Sequence, residues 1–244
     1  YELFDVQVLE LSEGQTLTLS IMATDANIFP SPGVTRGEPM LFRIVSIEEL
    51  LSLLYTREIA LRGRFEEVIS QLEELNNDLL FHRDVAARVD AAGANAVQED
   101  RVSLNTSATR SGNNLRRQAN ELSSIIEGFE EVVRQLINNA VPPQQLAENM
   151  RSSIVDPMKV VSAEMLPSAD RAVGALRVAA QDGQPTELLV ANANAEVTKV
   201  IVALKVVLEN VRDMAEFHEA LRDLKAILDE LQKNRDETKK LQKN

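Results

Sequence analysis

Apolar residues recur at alternating steps of three and four positions along the last quarter of the chain. This spacing places them on one face of an α-helix and is the a/d pattern of a coiled coil. One member, Asn210, is polar; it either fixes the register of helix pairing or meets solvent at the edge of the stripe. The pattern predicts that this helix packs against a neighbouring helix or another chain. Leu204, Leu208 and Val211 widen the apolar face near its start, as expected where more than one helix packs on it. The predicted helix-association seam comprises Val200, Ala203, Val207, Asn210, Met214, Phe217, Leu221, Leu224, Leu228 and Leu231.

Two earlier stripes also have helical spacing. The first follows Ser46-Ile47-Glu48-Glu49, a capping box that predicts a helix from residue 47, and it passes through Gly63 without ending. The second stops at Pro142-Pro143, because a helix rarely continues through two prolines. Between the stripes, residues 90–113 leave open whether the helix breaks. The stripes are Leu50, Leu54, Leu61, Phe65, Val68, Leu72, Leu75 and Leu79, then Leu115, Ala119, Leu122, Ile126, Phe129, Val133 and Leu136.

Shorter helices are predicted between the second and third stripes. Asp156-Pro157 is a typical helix start, with Asp as the cap and Pro in the first turn. Pro167 should kink or break the next stretch, and Asp182-Gly183 should end it. Three long helices with short ones between them predict an elongated antiparallel helical bundle or coiled coil over residues 47–244.

Residues 1–46 have a different pattern. Apolar and polar residues alternate around Phe4–Val8 and again over Thr16–Ile21, and Met40–Val45 is a third short apolar run. Such alternation is typical of half-buried strands. Because three strands without a covering layer make a poor independent domain, we expect them to be the last strands of a β-sandwich that begins upstream.

Composition restricts the class of partner. The formal net charge of −12 argues against non-specific nucleic-acid binding, which requires clustered Lys and Arg. The absence of Cys excludes disulfides and thiolate metal sites but does not select a compartment. No apolar run is long enough to span a bilayer, so any membrane anchor would lie upstream of this sequence.

No pattern in the sequence predicts catalysis, a cofactor or a metal. The two histidines, His82 and His218, lack a recognisable nucleophile or metal-binding partner, and we expect structural or surface roles for them. Adjacent glutamates diverge by about 100° on a helix, so the Glu-Glu pairs chelate poorly. We expect them to lie on solvated faces. The Glu-Glu pairs are Glu48-Glu49, Glu66-Glu67, Glu73-Glu74 and Glu130-Glu131.

The junction between the two regions resembles that of a bacterial family. Thr16 to Asp25, the following Pro/Gly loop and Phe42-Arg43-Ile44-Val45-Ser46-Ile47-Glu48-Glu49-Leu50 are similar to membrane-anchored proteins of the DUF4175-like type. In these proteins an immunoglobulin-like domain outside the cytoplasm runs directly into a long helix. The resemblance covers roughly residues 1–80. It implies an immunoglobulin-like sandwich over residues 1–46, an extracytoplasmic location and an upstream anchor, and it implies no catalytic residues.

Three functional hypotheses follow. The first is a non-enzymatic structural or interaction module, an extracytoplasmic scaffold that acts through helix–helix association. The second is a holdase-like or sensor domain that binds a partner in a helical groove. The third is an enzyme whose active site lies in a missing upstream region.

Overall fold

The computed structural model describes residues 6–26, 33–143 and 145–241. The chain divides into two compact units, residues 1–54 and 55–244. In the last helix, the backbone is described through residue 241, whereas the side chains at several positions, including 217–226, are not.

The chain is mainly helical. Two π-helical segments, Arg151–Val155 and Val161–Met165, join α3, α4 and α5 into one continuous helix, which we call the third helix. A short 3-10 turn, Gly93–Asn95, separates α1 from α2, which answers the question left open by the sequence. The helices are α1 (Ile47–Ala92), α2 (Gln98–Asn138), α3 (Gln145–Met150), α4 (Asp156–Val160), α5 (Leu166–Asp182) and α6 (Glu187–Leu241).

In the second unit the long helices form an antiparallel bundle. Along each pair of neighbouring helices, residue numbers rise on one helix as they fall on the other. The helix α1 contacts α2 and α6, and the third helix contacts the same two, so four helices surround one core. The contacts that establish the directions are Arg64–Glu121, Arg88–Asp100, Glu66–Arg212, Asp90–Thr186, Arg116–Asp170 and Ser153–Asn210.

The core consists mainly of aliphatic side chains, since only 4% of the residues are aromatic. Every member of the first predicted stripe is buried, and in the second stripe only Ala119 is half-buried. Phe65 and Phe129 are the largest fully buried side chains. Within the second unit, the two stripes therefore face the bundle interior.

Two helix boundaries lie where the capping residues in the sequence predict them. Ser46 Oγ accepts a 3.1 Å hydrogen bond from the backbone N–H of Glu49, as in a capping box. The Glu49 carboxylate turns instead to Arg43, at 2.7 Å. At the other predicted end, α5 stops at Asp182 and Gly183 adopts a left-handed conformation (φ +68°).

Asp156 does not cap a helix start as predicted, because Val155 before it is already helical. At Pro167, where a kink or break was predicted, a π-helical segment interrupts the α-helix before Leu166. The third helix continues through both prolines, and a π-helical segment precedes each one. A proline cannot donate to the carbonyl four residues earlier and its ring collides with it. The wider π turn is a usual way for a helix to accommodate such an interruption.

The first unit contains a kinked β-hairpin. Strands β1 (Thr16–Leu19) and β2 (Met22–Thr24) form one arm, and β3 (Val34–Arg36) and β4 (Met40–Arg43) form the other. The β1–β4 and β2–β3 pairs are antiparallel, and their registers differ by one residue, as at a β-bulge.

Two of the three predicted strand regions are present. The strand expected over Phe4–Val8 is wrong where it is described, because Val6–Leu9 form a 3-10 turn; Phe4 lies outside the described residues. Of the predicted loop, residues 27–32 are also outside them. No helix in the described part of the chain is long and apolar enough to cross a membrane.

Candidate helix-association surface

The predicted seam on α6 divides into a bundle-facing part and a distal part. Val200 and Val207 are fully buried, whereas Ala203, Asn210 and Met214 are half-buried. Leu231 is 59% exposed. The side chains of Phe217, Leu221, Leu224 and Leu228 lie outside the described residues, although the helical backbone runs through all four positions.

Within the bundle, the buried positions of α6 differ from the predicted ones at every second step. The structure buries Leu204 and Val211, which confirms that they widen the apolar face, and leaves Ala203 and Asn210 half-buried. Both choices fit steps of three and four, so spacing alone could not separate them. The bundle-facing seam consists of Val190, Ala193, Val197, Val200, Leu204, Val207 and Val211.

The apolar face of α6 turns where the bundle-facing seam ends. Seven residues on, the line through Leu204 and Val211 continues as His218 and Lys225, which are polar. The line through Ala203 and Asn210 continues instead as positions 217, 224 and 231, which are Phe, Leu and Leu. The centre of the apolar stripe therefore moves by about 50°, half of the 100° between successive helical residues.

This change turns the stripe toward the side of α6 that meets the third helix. Asn210 Nδ2 donates a 2.9 Å hydrogen bond to the backbone oxygen of Ser153. Antiparallel helices advance one residue against one, so Gln145, the first residue of α3, lies level with about residue 218 of α6. The helix α6 continues for about 23 residues beyond that level, a rise of about 35 Å. We call residues 214–231 the distal segment.

The bond from Asn210 lies next to a proline of the third helix. In an α-helix, the oxygen of Ser153 would accept from the amide of residue 157, but Pro157 has no N–H. The side chain of Asn210 supplies a donor to that carbonyl from the neighbouring helix. Asn210 thus ties α6 to the π-helical segment beside Pro157. No sequence signal linked these two residues.

A groove opens beside this bond, between the first turns of the third helix and α6. Its volume is about 410 Å³. We call it the end groove. Pro143, Leu146 and Met214 contribute apolar surface, and Asn149 and Ser152 contribute polar surface. The groove therefore lies where the bundle ends and the distal segment begins.

Ion pairs flank the bundle-facing part of α6. Arg212 contacts Glu66 of α1 and Glu209 of its own helix, each at 3.1 Å. The hydrogen bond to Glu66, followed by the attraction of both carboxylates, raises the pKa of Arg212 above its usual range. Partly exposed pairs of this kind contribute little stability. The pair with Glu66 shows which side of α6 faces α1, and this side lies away from the end groove.

The glutamate pairs contact basic side chains at the edges of helix packing. Glu49, Glu66, Glu73 and Glu130 each contact a Lys or Arg, and the last three of these contacts join different helices. These glutamates remain 40–42% exposed. Within the described part of the chain, no cluster of three or more His, Asp or Glu side chains could hold a metal ion.

A polar cluster joins α1 to α2 around His82. His82 is 8% exposed; its Nδ1 lies 2.8 Å from the Asp78 backbone oxygen, and its Nε2 lies 3.3 Å from Ser103 Oγ. Ser107 donates to the Asp78 carboxylate. The order Asp, His, Ser is that of a hydrolase triad. However, Ser103 lies inside α2, where the amides at and after it belong to the helix ladder and are not available as an oxyanion hole.

This cluster satisfies buried polar groups at a helix contact. His82 is buried at this contact, whereas the side chain of His218 lies outside the described residues. The sequence did not reveal Ser103 or Ser107 as partners, because isolated serines in a polar stretch carry no distinctive spacing.

No protein-family model matches this chain, and comparison with curated protein sequences finds no significant match.

Proposed function

We propose that this chain is a non-enzymatic interaction module that self-associates through helix–helix packing of the distal segment of α6. One observation carries the proposal. The side of α6 that meets the third helix stays apolar for more than three turns past the level where the third helix begins. A helix surface that is apolar beyond its partner favours a second partner.

The exposed side chains of the distal segment support this reading. Ile227 and Leu231, one turn apart, are 54% and 59% exposed. Each apolar side chain of this size gains roughly 1.5–3 kcal/mol on full burial. Packing against another helix would recover part of this free energy, and the coiled-coil spacing of the segment suits such packing.

The bundle prepares the distal segment for association. An isolated helix of fewer than about 15 residues is marginal in water, because its first turn is costly to form. The distal segment continues directly from the part of α6 that is buried in the bundle. Its helical conformation is therefore already nucleated, which lowers the conformational entropy lost on association.

Sedimentation velocity of the chain tests this proposal. We expect an assembly larger than the monomer, and we expect Leu224→Asp to dissociate it, because a carboxylate would enter the apolar stripe. Ala226→Asp is the matched control, since position 226 lies on the polar side of the same helix. A monomeric wild type, or equal loss of assembly in both variants, would contradict the proposal.

The end groove favours a second candidate, a holdase-like or sensor domain that takes a partner segment between α3 and α6. Its apolar walls and polar rim suit a short amphipathic helix. A holdase would suppress aggregation of an unfolding client protein at low stoichiometry. Light scattering during client heating, with and without the chain, tests this candidate, and unchanged aggregation would exclude it.

We also propose that the β-hairpin belongs to an immunoglobulin-like β-sandwich completed by further strands. Leu17, Leu19, Met40 and Phe42 share one face of the β1–β4 pair, and Met40 and Phe42 are 42% and 48% exposed. Such a face needs a covering layer. The hairpin amides of this chain should then show little protection in hydrogen exchange. Protection comparable to that of the bundle would contradict the sandwich. A location outside the cytoplasm with a membrane tether stays a prediction from the family resemblance.

A further inference from the structure

We infer that a polar groove between α1 and α2 binds an extended acidic peptide, with one carboxylate on Arg110, another on Arg117 and a peptide unit between Gln71 and Asn114. We call it the polar groove, and its volume is about 710 Å³. It lies within the second unit and involves no residue of the distal segment. The inference therefore does not depend on the proposed self-association.

Basic residues gather on the part of α2 that forms this groove. The chain has a net charge of −12, yet residues 101–120 contain four Arg and no Asp or Glu. Two of the four, Arg101 and Arg116, have partners inside the bundle. Arg110 and Arg117 line the polar groove, are exposed, and contact no acidic side chain within the described residues. Two guanidinium groups are therefore free to bind carboxylates in the bidentate manner typical of arginine.

The lining of the groove selects the class of ligand. Every side chain that lines it in the described part of the chain is polar or charged, so an amphipathic helix finds no apolar wall there. None of these side chains is aromatic, so a nucleobase or a sugar ring finds no surface on which to stack. Besides the two arginines and Glu74, the groove is lined by amides and hydroxyls, which both donate and accept hydrogen bonds. They are Gln71, Asn105, Thr106, Thr109, Asn113 and Asn114.

Gln71 of α1 and Asn114 of α2 line the groove at the same level. Arg64 contacts Glu121 at 2.7 Å, and antiparallel helices advance one residue against one, so position 71 lies level with position 114. On α2 this level lies between the two free arginines, four residues after the first and three before the second. The backbone of a ligand that joins two carboxylates therefore passes between these two amides.

The two amides offer one acceptor and one donor to such a backbone. Gln71 Nε2 donates a 2.9 Å hydrogen bond to Glu67, which leaves the Gln71 side-chain oxygen as an acceptor. Asn114 Oδ1 accepts a 2.9 Å hydrogen bond from Gln118, which leaves Asn114 Nδ2 as a donor. One peptide unit can thus donate to Gln71 and accept from Asn114. A phosphate only accepts, so it would leave Gln71 unmatched and would be repelled by Glu74.

The spacing of the two arginines specifies the spacing of the acids in the peptide. Arg110 and Arg117 are seven residues apart, a rise of about 10.5 Å along α2. An extended polyproline II segment rises 3.1 Å per residue with three residues per turn, so side chains three positions apart lie on one side, about 9 Å from each other. Its backbone N–H and C=O groups have no internal partners. A segment with acidic residues three positions apart therefore matches both the arginines and the amides.

Isothermal titration calorimetry with two peptide isomers tests the inference. The probe is Ala-Glu-Ala-Ala-Glu-Ala with blocked termini, and its isomer Ala-Ala-Glu-Glu-Ala-Ala has the same charge on adjacent residues. We expect the probe to bind at least about three-fold more tightly than the isomer. Arg110→Gln and Arg117→Gln should each weaken its binding about ten-fold, because each removes a charge-assisted hydrogen-bonded pair. Arg177→Gln, at an exposed arginine of α5, is the matched control and should leave the affinity unchanged.

All three arginines are exposed, so these variants should stay folded, and circular dichroism checks that they do. Equal affinity for the two isomers would overturn the inference, and so would an equal loss of binding in the control variant. Tripolyphosphate, which carries acceptors only, is the competing probe. If it binds more tightly than the peptide, the polar groove is a general anion site and the inference is wrong. A chain that binds neither peptide would also overturn it, whatever its state of association.

Discussion

Asn210 donates a 2.9 Å hydrogen bond to the backbone oxygen of Ser153, four residues before Pro157. Because Pro157 has no N–H, it cannot donate to this carbonyl as residue 157 of an ordinary α-helix would, and an asparagine on the neighbouring helix donates to it. The pair fixes α6 against the third helix at the mouth of the end groove.

This relationship predicts that the energetic cost of losing Asn210 depends on Pro157. Asn210→Ala should lower the free energy of unfolding by about 1–2 kcal/mol, because it removes a donor from a partly buried carbonyl. With Pro157→Ala, the amide of residue 157 becomes a possible donor to Ser153. The same Asn210→Ala change should then cost about 1 kcal/mol less.

Urea denaturation of the two single variants and the double variant measures this coupling. Asn194→Ala is a matched control, since Asn194 also lies half-buried on α6 and donates to Asn76 of α1 at 2.7 Å. The effects of Asn194→Ala and Pro157→Ala on the free energy of unfolding should be additive, because Asn194 and Pro157 share no partner. Additivity for Asn210 as well would refute the proposed link.

Replacing two glycines inside long helices with alanine should change the free energy of unfolding in opposite directions. At Gly63 of α1, an added Cβ would meet no atom within 4 Å. Gly63→Ala should raise the free energy of unfolding by about 0.5–1 kcal/mol, because Ala has the higher helix propensity.

At Gly128 of α2, an added Cβ would lie 2.5 Å from Leu61 Cδ2 and 3.1 Å from Cδ1. Leu61 is buried, so it has little room to move. Gly128→Ala should therefore destabilise the bundle by about 1–2 kcal/mol despite the gain in helix propensity. Thermal unfolding of both variants gives the comparison. Stabilisation by Gly128→Ala would mean that α1 and α2 pack less closely at this point than described.

The predictable parts of the fold are those set by apolar spacing and by local capping chemistry. Both long stripes are buried, Ser46 caps α1, and Gly183 ends α5. These features depend on residues close in sequence, so a single chain displays them.

The unpredicted parts depend on contacts between distant residues. The first turns of α2 pack small polar side chains, such as Ser107 and Ser111, and so lack an apolar stripe. The third helix passes through Pro157 because a π-helical segment precedes it. The choice of Leu204 over Ala203 as a core residue is made by neighbouring helices, since both satisfy the spacing.

The N-terminus of α6 is capped by a residue from another helix, which gives a further prediction. The carboxylate of Asp90, near the end of α1, accepts hydrogen bonds from the backbone N–H groups of Thr186 (2.8 and 2.9 Å) and Glu187 (2.8 Å) and from the Thr186 hydroxyl (3.0 Å). Thr186 is 1% exposed, so water cannot readily replace the bonds that Thr186 makes.

Asp90→Ala should therefore lower the free energy of unfolding by about 2 kcal/mol, at the upper end of the range for helix caps, because it leaves the N–H of the buried Thr186 without an acceptor. Asp84→Ala, at an exposed carboxylate on the same helix, is the control and should change it by less than about 0.5 kcal/mol. Hydrogen exchange should show faster opening at residues 186–190 in Asp90→Ala alone. Equal stability and equal exchange in the two variants would show that the N-terminus of α6 does not depend on α1 for its cap.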